Sequence, residues 1–301
     1  MIAAAALAVL AALCVLGAWR LILAPRWTWR APRAAILLWQ SLGVTWGLAS
    51  VGALLAFALE PFGQGVLYGL AHLGSVWSGP PDLPRVSALL AGLGLFAALC
   101  AVPVAAAVQT LRARRRHRLL LALIARDEPA VPGVRVLDHP GAAAYCVPGL
   151  KSEVVISAGT LRLLSPDELA AVLAHEAAHV RERHDLVLLP FAALRWMLPW
   201  VRITHEAHAS VALLIEMAAD DRARRHCSPK RLATALLRFG TAGAFATPHG
   251  ALNATSGENV MVRVNRLVKP RAELPAHLRF AIVAGAAVLT ASAPLLWLLP
   301  S

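Results

Sequence analysis

Charged residues are scarce in this chain. They make up 15% of its 301 residues, against 58% hydrophobic ones. A soluble domain carries about 25% charged and about 45–50% apolar residues. The shortage excludes an ordinary soluble globular protein, and the apolar excess excludes a disordered one. Acidic residues are scarcer still: 17 Asp and Glu face 29 Lys and Arg, a net charge of +12. In an apolar chain such a basic excess points to loops on the cytoplasmic side of a membrane before it points to nucleic acid. Cysteine is sparse as well. Cys14, Cys100, Cys146 and Cys227 are scattered with no CxxC pair, which argues against a disulfide framework and against a cysteine-type zinc site. No internal repeat of solenoid period is present.

What the chain has in abundance is long apolar runs. A membrane-crossing helix needs about 20 mostly apolar residues. Segments 2–24, 34–59, 86–108 and 280–301 meet that demand, the first with Arg20 snorkelling to the interface. Three spans therefore fall within residues 1–109 and a fourth closes the chain. The first lacks the positive n-region of a cleaved signal peptide, so it reads as a retained anchor. Orientation follows from the short loops. The first connection holds Arg20, Arg26, Arg30 and Arg33 and no acid. The second, 60–85, holds one Arg against Glu60 and Asp82. Arg112, Arg114, Arg115, Arg116 and Arg118 follow the third span, and Lys269, Arg271 and Arg279 precede the fourth. This pattern predicts both termini outside the cell and a polar domain, 110–279, in the cytoplasm. Directly after a span, the 112–118 run reads as a juxtamembrane anchor to anionic lipid rather than as a nucleic-acid contact. Pro- and Gly-rich stretches at 79–84, 129–133 and 247–257 read as loops. Segment 186–200, broken by Pro190, Arg195 and Pro199, is too short to span. It belongs either in the core or against the bilayer.

Within the polar domain, Ser165 is a good N-cap, Pro166 suits the first helical position, and Glu168 completes a capping box. Leu169, Val172, Leu173 and Val180 supply a buried stripe, so a helix is predicted from 166 to about 184. It carries His175-Glu176-Ala177-Ala178-His179, an HExxH motif. Histidines four apart share one helical face and can ligate one zinc ion. Zinc lowers the pKa of a coordinated water to about 7, and Glu176, turned about 100° away, can take its proton as it attacks a carbonyl. The competing reading is a charged, solvated helix face. The metzincin extension needs Gly at 182 and His at 185, where this chain has Glu182 and Asp185. A third ligand must come from elsewhere. Glu216 and Asp220 lie four apart on a second apolar helical run that starts near Ser210. Glu216 suits the ligand role, and Asp220 could hold the other ring N–H of a ligand histidine. An ion pair with a nearby Arg is the competing role for Glu216, and Glu206, between His205 and His208, is the alternative third ligand.

These residues resemble the gluzincin peptidases that live in membranes, and among them the BlaR/MecR family of membrane zinc metallopeptidases. HtpX-like and CAAX-prenyl-type proteases are its relatives. The resemblance implies a mainly α protein with four transmembrane helices. A cytoplasmic gluzincin-type α+β metallopeptidase domain would carry a small β-hairpin or sheet. It implies one Zn2+ per chain held by His175, His179 and Glu216, Glu176 as general base, and Asp220 behind a ligand. The oxyanion stabiliser is not identifiable; His226, Arg222 and His205 are the candidates. Segment 143–149 followed by 153–161 looks like the family's edge hairpin, with Ala143, Ala144, Tyr145 and Cys146 binding substrate as an added strand. His184-Asp185 also fits the group. Arg263 and Arg266 match the family's Arg-rich helix, although a solvated face explains them equally well.

The implied function is that of a membrane zinc endopeptidase cleaving a cytoplasmic protein, with a winged-helix transcriptional repressor as the expected substrate. HtpX-like quality control of membrane proteins is one alternative. A non-catalytic receptor or scaffold with a structural zinc site is another. Membrane lipid is an expected partner, direct nucleic-acid binding is not expected, and a homodimer stays open. Antibiotic-sensing members carry an outer penicillin-binding domain after their last span. This chain ends at Ser301 and has no Ser-x-x-Lys motif, so direct covalent sensing of a β-lactam is not expected.

Overall fold

The computed structural model describes residues 1–63, 65–72, 82–127, 134–147, 153–241, 257–269 and 272–299. Of the three Pro- and Gly-rich stretches, 129–133 lies outside the described residues, the first half of 79–84 does, and 247–257 does but for its last residue. The chain divides into two compact units. The first comprises Met1–Val104, Met197–Ala207 and Leu274–Ser301; the second comprises Ala105–Trp196 and His208–Glu273.

The first unit is helical because backbone amides in lipid must be satisfied within their own segment. Its helices are α1 (Ile2–Leu23), α2 (Pro32–Ala58), the short α3 (Val66–Ala71), the start of α4 (Leu83–Ile124), and α11 (Ala276–Trp297). Among the described residues α1, α2, α4 and α11 are long and apolar enough to cross a membrane. Helix α2 is central to the packing. Its Val51, Leu55 and Ala58 bury against Ala3 and Leu7 of α1 and Ala293 of α11. Small residues let the backbones approach. A Cβ on Gly52 would collide with Trp297 Nε1, and that indole donates to the Leu48 carbonyl at 3.2 Å. Thr45 Oγ1 donates to the Leu289 carbonyl at 2.9 Å.

Helix α4 runs unbroken from Leu83 to Ile124, beyond the 86–108 expected for the span. The basic run is therefore helical, and the boundary between units falls inside the helix. Arg112, Arg115 and Arg116 are exposed. Arg114 is not free for lipid: its guanidinium pairs with Asp185 at 2.8 Å, with both side chains nearly buried. That corrects the reading of the whole run as a lipid anchor.

The second unit holds a four-stranded sheet: β1 (Ala125–Asp127), β2 (Val134–Leu137), β3 (Ala144–Val147) and β4 (Glu153–Ser157), ordered β1-β2-β4-β3. Strands β2 and β4 are parallel and the other pairings antiparallel. The expected hairpin is β3–β4, with Tyr145 opposite Val155 and β3 on the sheet edge. Its second arm is shorter than 153–161. Ser157 caps helix α5 (Ala158–Leu163), its Oγ accepting from the Thr160 amide. Gly159 is required there, since a Cβ would collide with the Pro140 carbonyl oxygen.

Helix α6 (Pro166–Arg181) begins with the capping box of Ser165 and Glu168 in place. It is followed by α7 (His184–Met197), α8 (Arg202–Ala223), α9 (Pro229–Thr241) and α10 (Gly257–Val268). One face of α6 packs Leu169 and Val172 on Ile156 and Ala235. Its Ala171 meets Leu232, Val264 and Leu267 of α9 and α10. Segment 186–200 is largely α7, which buries Phe191 and Ala193 and exposes Leu186 and Trp196. The class expected from the sequence is the one observed: mainly helical, with four apolar helices and a small mixed sheet.

Candidate metal centre

Helices α6 and α8 bring three side chains to one point. Ligand atoms of His175, His179 and Glu216 all lie within 4.8 Å of one another. The two Nε2 atoms are 3.1 Å apart. Glu216 Oε2 is 3.4 Å from His175 Nε2, and Oε1 is 3.3 Å from His179 Nε2. The four-residue spacing on α6 stacks the imidazoles one turn apart, and α8 presents Glu216 from a wall of Leu214, Ile215, Met217 and Ala218, all buried.

One helical turn on from Glu216, Asp220 is 1% exposed, and its Oδ1 lies 3.0 Å from His175 Nδ1. The sequence left the role of Arg263 open, and the structure removes the solvated-face alternative. Arg263 on α10 is 4% exposed. Its Nε and Nη2 donate to the two oxygens of Asp220 at 2.9 and 2.7 Å, and its Nη1 meets Glu216 Oε2 at 2.6 Å. Arg266, one turn on, grips Asp221 with two bonds of 2.7 Å. A pair of bidentate clamps thus ties α10 to α8. The amphipathic pattern of α10 was a signal that it packs, but nothing in it named the face that Arg263 occupies.

The sequence singled out His184-Asp185 by resemblance but gave His184 no contact. His184, at the start of α7, is 5% exposed, and its Nδ1 sits 3.0 Å from Nδ1 of His179. Its Nε2 is 3.4 Å from Glu182 Oε2.

The electrostatics of the cluster suit a cation. Burial alone would push the Glu216 and Asp220 carboxyls up, but the Arg263 guanidinium beside them holds both well below the usual carboxylate range. Burial would likewise push His175 down, and hydrogen bonding to Asp220 and Glu216 overrides it and holds the imidazole charged. For His179 burial prevails and keeps the ring neutral. Two carboxylates against one guanidinium leave a negative remainder, which a bound cation can balance in place of the His175 proton. With that proton gone, the facing Nε2 atoms of His175 and His179 can both offer lone pairs to the cation. Glu216 Oε1 is buried and accepts no hydrogen bond among the described residues. Two imidazoles and a carboxylate with such an unused oxygen are the donor set that zinc takes.

Glu176, between the two histidines, is half-buried on α6, and its charge acts on Arg263. Among the described residues no other predicted site residue joins the metal-binding group. His226 is exposed beyond the end of α8, and Arg222 is half-buried with its Nε lacking a hydrogen-bond partner among the described residues. His205 and Glu206 belong to the first unit, where His205 Nε2 lies 2.8 Å from the Pro199 carbonyl oxygen and Glu206 pairs with Arg202 at 3.4 Å. Just before β3, Ala143 is already engaged: its amide meets the Ser157 and Thr160 hydroxyls, and its carbonyl accepts from Ser157 N and Thr160 Oγ1. Tyr145 is buried, with its hydroxyl 3.0 Å from His117 Nε2. Ala144 is half-buried, and the side chain of Cys146 lies outside the described residues.

Comparison with known proteins points the same way. Residues 110–225 match the model of peptidase family M48; the matched segment contains the triad and Asp220 but not Arg263. A stretch of 61 residues is 41% identical to a protein named "Protease HtpX homolog" from Aeropyrum pernix, covering 20% of this chain and 19% of that one. A stretch of 53 residues is 42% identical to the protein of the same name from Thermoplasma acidophilum, covering 18% and 17%. The chain thus matches only about a fifth of the length of these curated relatives. No solved structure matches it.

Proposed function

We propose that the chain is an integral-membrane zinc endopeptidase with its catalytic domain in the cytoplasm and both termini outside; the match of residues 110–225 to the model of peptidase family M48 supports this reading. The observation that carries this is the meeting of His175, His179 and Glu216 at one buried point. Those three residues would hold one Zn2+, which when bound supplies Lewis acidity, polarising an amide carbonyl and acidifying water. Glu176 takes a proton from the attacking water on its carboxylate and returns it to the departing amine nitrogen. Asp220 fixes the ring of His175, and Arg263 holds Glu216 and Asp220 ionised and in place. Among the described residues no fourth His, Cys, Asp or Glu joins the triad, which favours an open catalytic site over a closed structural one.

The substrate is a cytoplasmic protein, and the resemblance to the BlaR/MecR family favours a transcriptional repressor. The resemblance to HtpX-like proteases, whose name the two relatives bear, gives a second reading, in which the substrates are misfolded membrane proteins. Deleting the gene separates these: the first reading expects one regulon locked off, the second expects sensitivity to membrane stress. Catalysis itself is tested by Glu176→Gln. Cleavage should fall by about 10²–10⁴-fold while the chain keeps one zinc. Unchanged cleavage would remove Glu176 from its role.

A further inference from the structure

The two ligand histidines are braced by different groups. His175 has the carboxylate of Asp220 behind its ring, whereas His179 has another imidazole. Ring nitrogens Nδ1 of His179 and His184 are 3.0 Å apart, and the rings stand nearly perpendicular at 82° with centroids 4.8 Å apart. Only one of two facing ring nitrogens can donate. Nε2 of His179 is the atom that faces His175 and Glu216. If that atom is to offer its lone pair, the proton of the neutral ring must sit on Nδ1. His184 Nδ1 must then be bare and accept it. The proton of His184 therefore lies on Nε2, which is where Glu182 Oε2 stands at 3.4 Å. Every donor and acceptor along Glu182, His184 and His179 then has one consistent assignment.

The backbone is built to deliver this contact. Helix α6 stops at Arg181, and Arg183 takes the left-handed conformation with φ 49°, uncommon for a residue other than glycine. That turn starts α7 at once and folds His184 back over the ring five residues earlier. The next residue, Asp185, is pinned by Arg114 at 2.8 Å, with the two side chains 8% and 11% exposed.

We propose that His184 is a positioning residue for the metal centre: it accepts the Nδ1–H of His179, fixing the tautomer that leaves Nε2 bare toward His175 and Glu216, with Glu182 holding His184 in turn. This rests on the zinc reading of the triad and deepens it, since it assigns the local strain at Arg183 to the readiness of a ligand.

The test compares the full-length chain in detergent micelles with H184N and H184Q, measuring Zn2+ affinity by competition with a chromophoric chelator. Asparagine keeps an acceptor oxygen where Nδ1 sits. Glutamine carries the same amide one bond further, where Nε2 sits. The two differ little in size and polarity, so a merely structural role would move both alike. H184Q should bind Zn2+ about 10–100-fold more weakly and H184N within about threefold of wild type, the range expected for a residue bonded to a metal ligand. The visible spectrum of the Co2+-loaded chain should shift in H184Q and not in H184N, and the metal-free forms should melt together. Wild-type affinity in H184Q, or equal losses in the two variants, would overturn the proposal while leaving the metal centre standing. A wild-type chain that binds no Zn2+ would overturn the zinc reading as well, and would do so before any variant is compared.

Discussion

The two units bury polar groups in different ways. In the membrane unit the buried polar side chains among the described residues are Thr28, Ser41, Thr45 and Thr204. Each is a hydroxyl that donates to a backbone carbonyl. In the second unit the buried polar groups include Glu168, His175, His184, Glu216, Asp220 and Arg263. All the charged groups buried among the described residues therefore fall in the second unit, where His175, Glu216, Asp220 and Arg263 meet in one cluster. Desolvating a charge costs several kcal/mol before any partner offsets it. A fold that needed only stability would fill that space with leucine, as α2 does. Charge retained in a core marks where the molecule does something other than stay folded.

The sharpest way to break this contrast is to remove the cation. Arg263→Met keeps most of the volume but leaves Glu216 and Asp220 buried without their guanidinium. Such a one-sided deletion typically costs about 3–5 kcal/mol, measured as denaturant unfolding of the metal-free chain in micelles. Saturating Zn2+ should recover part of the loss, because it restores positive charge beside Glu216. A cost near zero would mean that the cluster is wet and ordinary.

In the membrane unit the largest effect should come from shape. Gly52→Ala would drive a methyl into Trp297 Nε1 and force the indole off the Leu48 carbonyl. Overpacking of this kind costs about 1–3 kcal/mol, read as lower thermal stability of the spans with zinc affinity unchanged. If zinc affinity fell with it, the two units would not be separable in the way their cores suggest.

Much of this was legible before any coordinates. Hydropathy marks four spans because lipid leaves the backbone no alternative to the helix. Ser165, Pro166 and Glu168 mark the start of α6 because capping is local, and a four-residue spacing puts His175 beside His179 for the same reason. Glu216 and Asp220 were reachable through that helical period together with the donor count zinc demands. What escaped depends on the chain meeting itself at a distance. Arg263 is 43 residues from Asp220, and on an amphipathic helix an arginine at that position suits solvent equally well until α8 is known to face it. His184 depends on a left-handed Arg183, where no glycine or asparagine announces the turn. The parallel pairing of β2 with β4 and the length of α4 past its span were hidden likewise, since the one needs a crossover and the other a partner, Asp185, 71 residues away.

The smallest expected effect is the most demanding test of the contrast. Thr45 is fully buried, and its hydroxyl donates to Leu289 across two spans, so Thr45→Val deletes a hydrogen bond between helices and keeps the branched shape. Leu289 O is not stranded by the change, because Ser292 Oγ also donates to it, at 2.6 Å. With the acceptor still served and the packing kept, the cost should be about 0.6 kcal/mol, the average for such bonds between membrane helices. Equilibrium unfolding of the spans in mixed micelles resolves a difference of that size against wild type. A loss several times larger would show that the hydroxyl, and not the fit of small residues around it, holds α2 to α11. The membrane unit would then depend on a polar bond as the second unit does, and the difference between them would be one of charge alone.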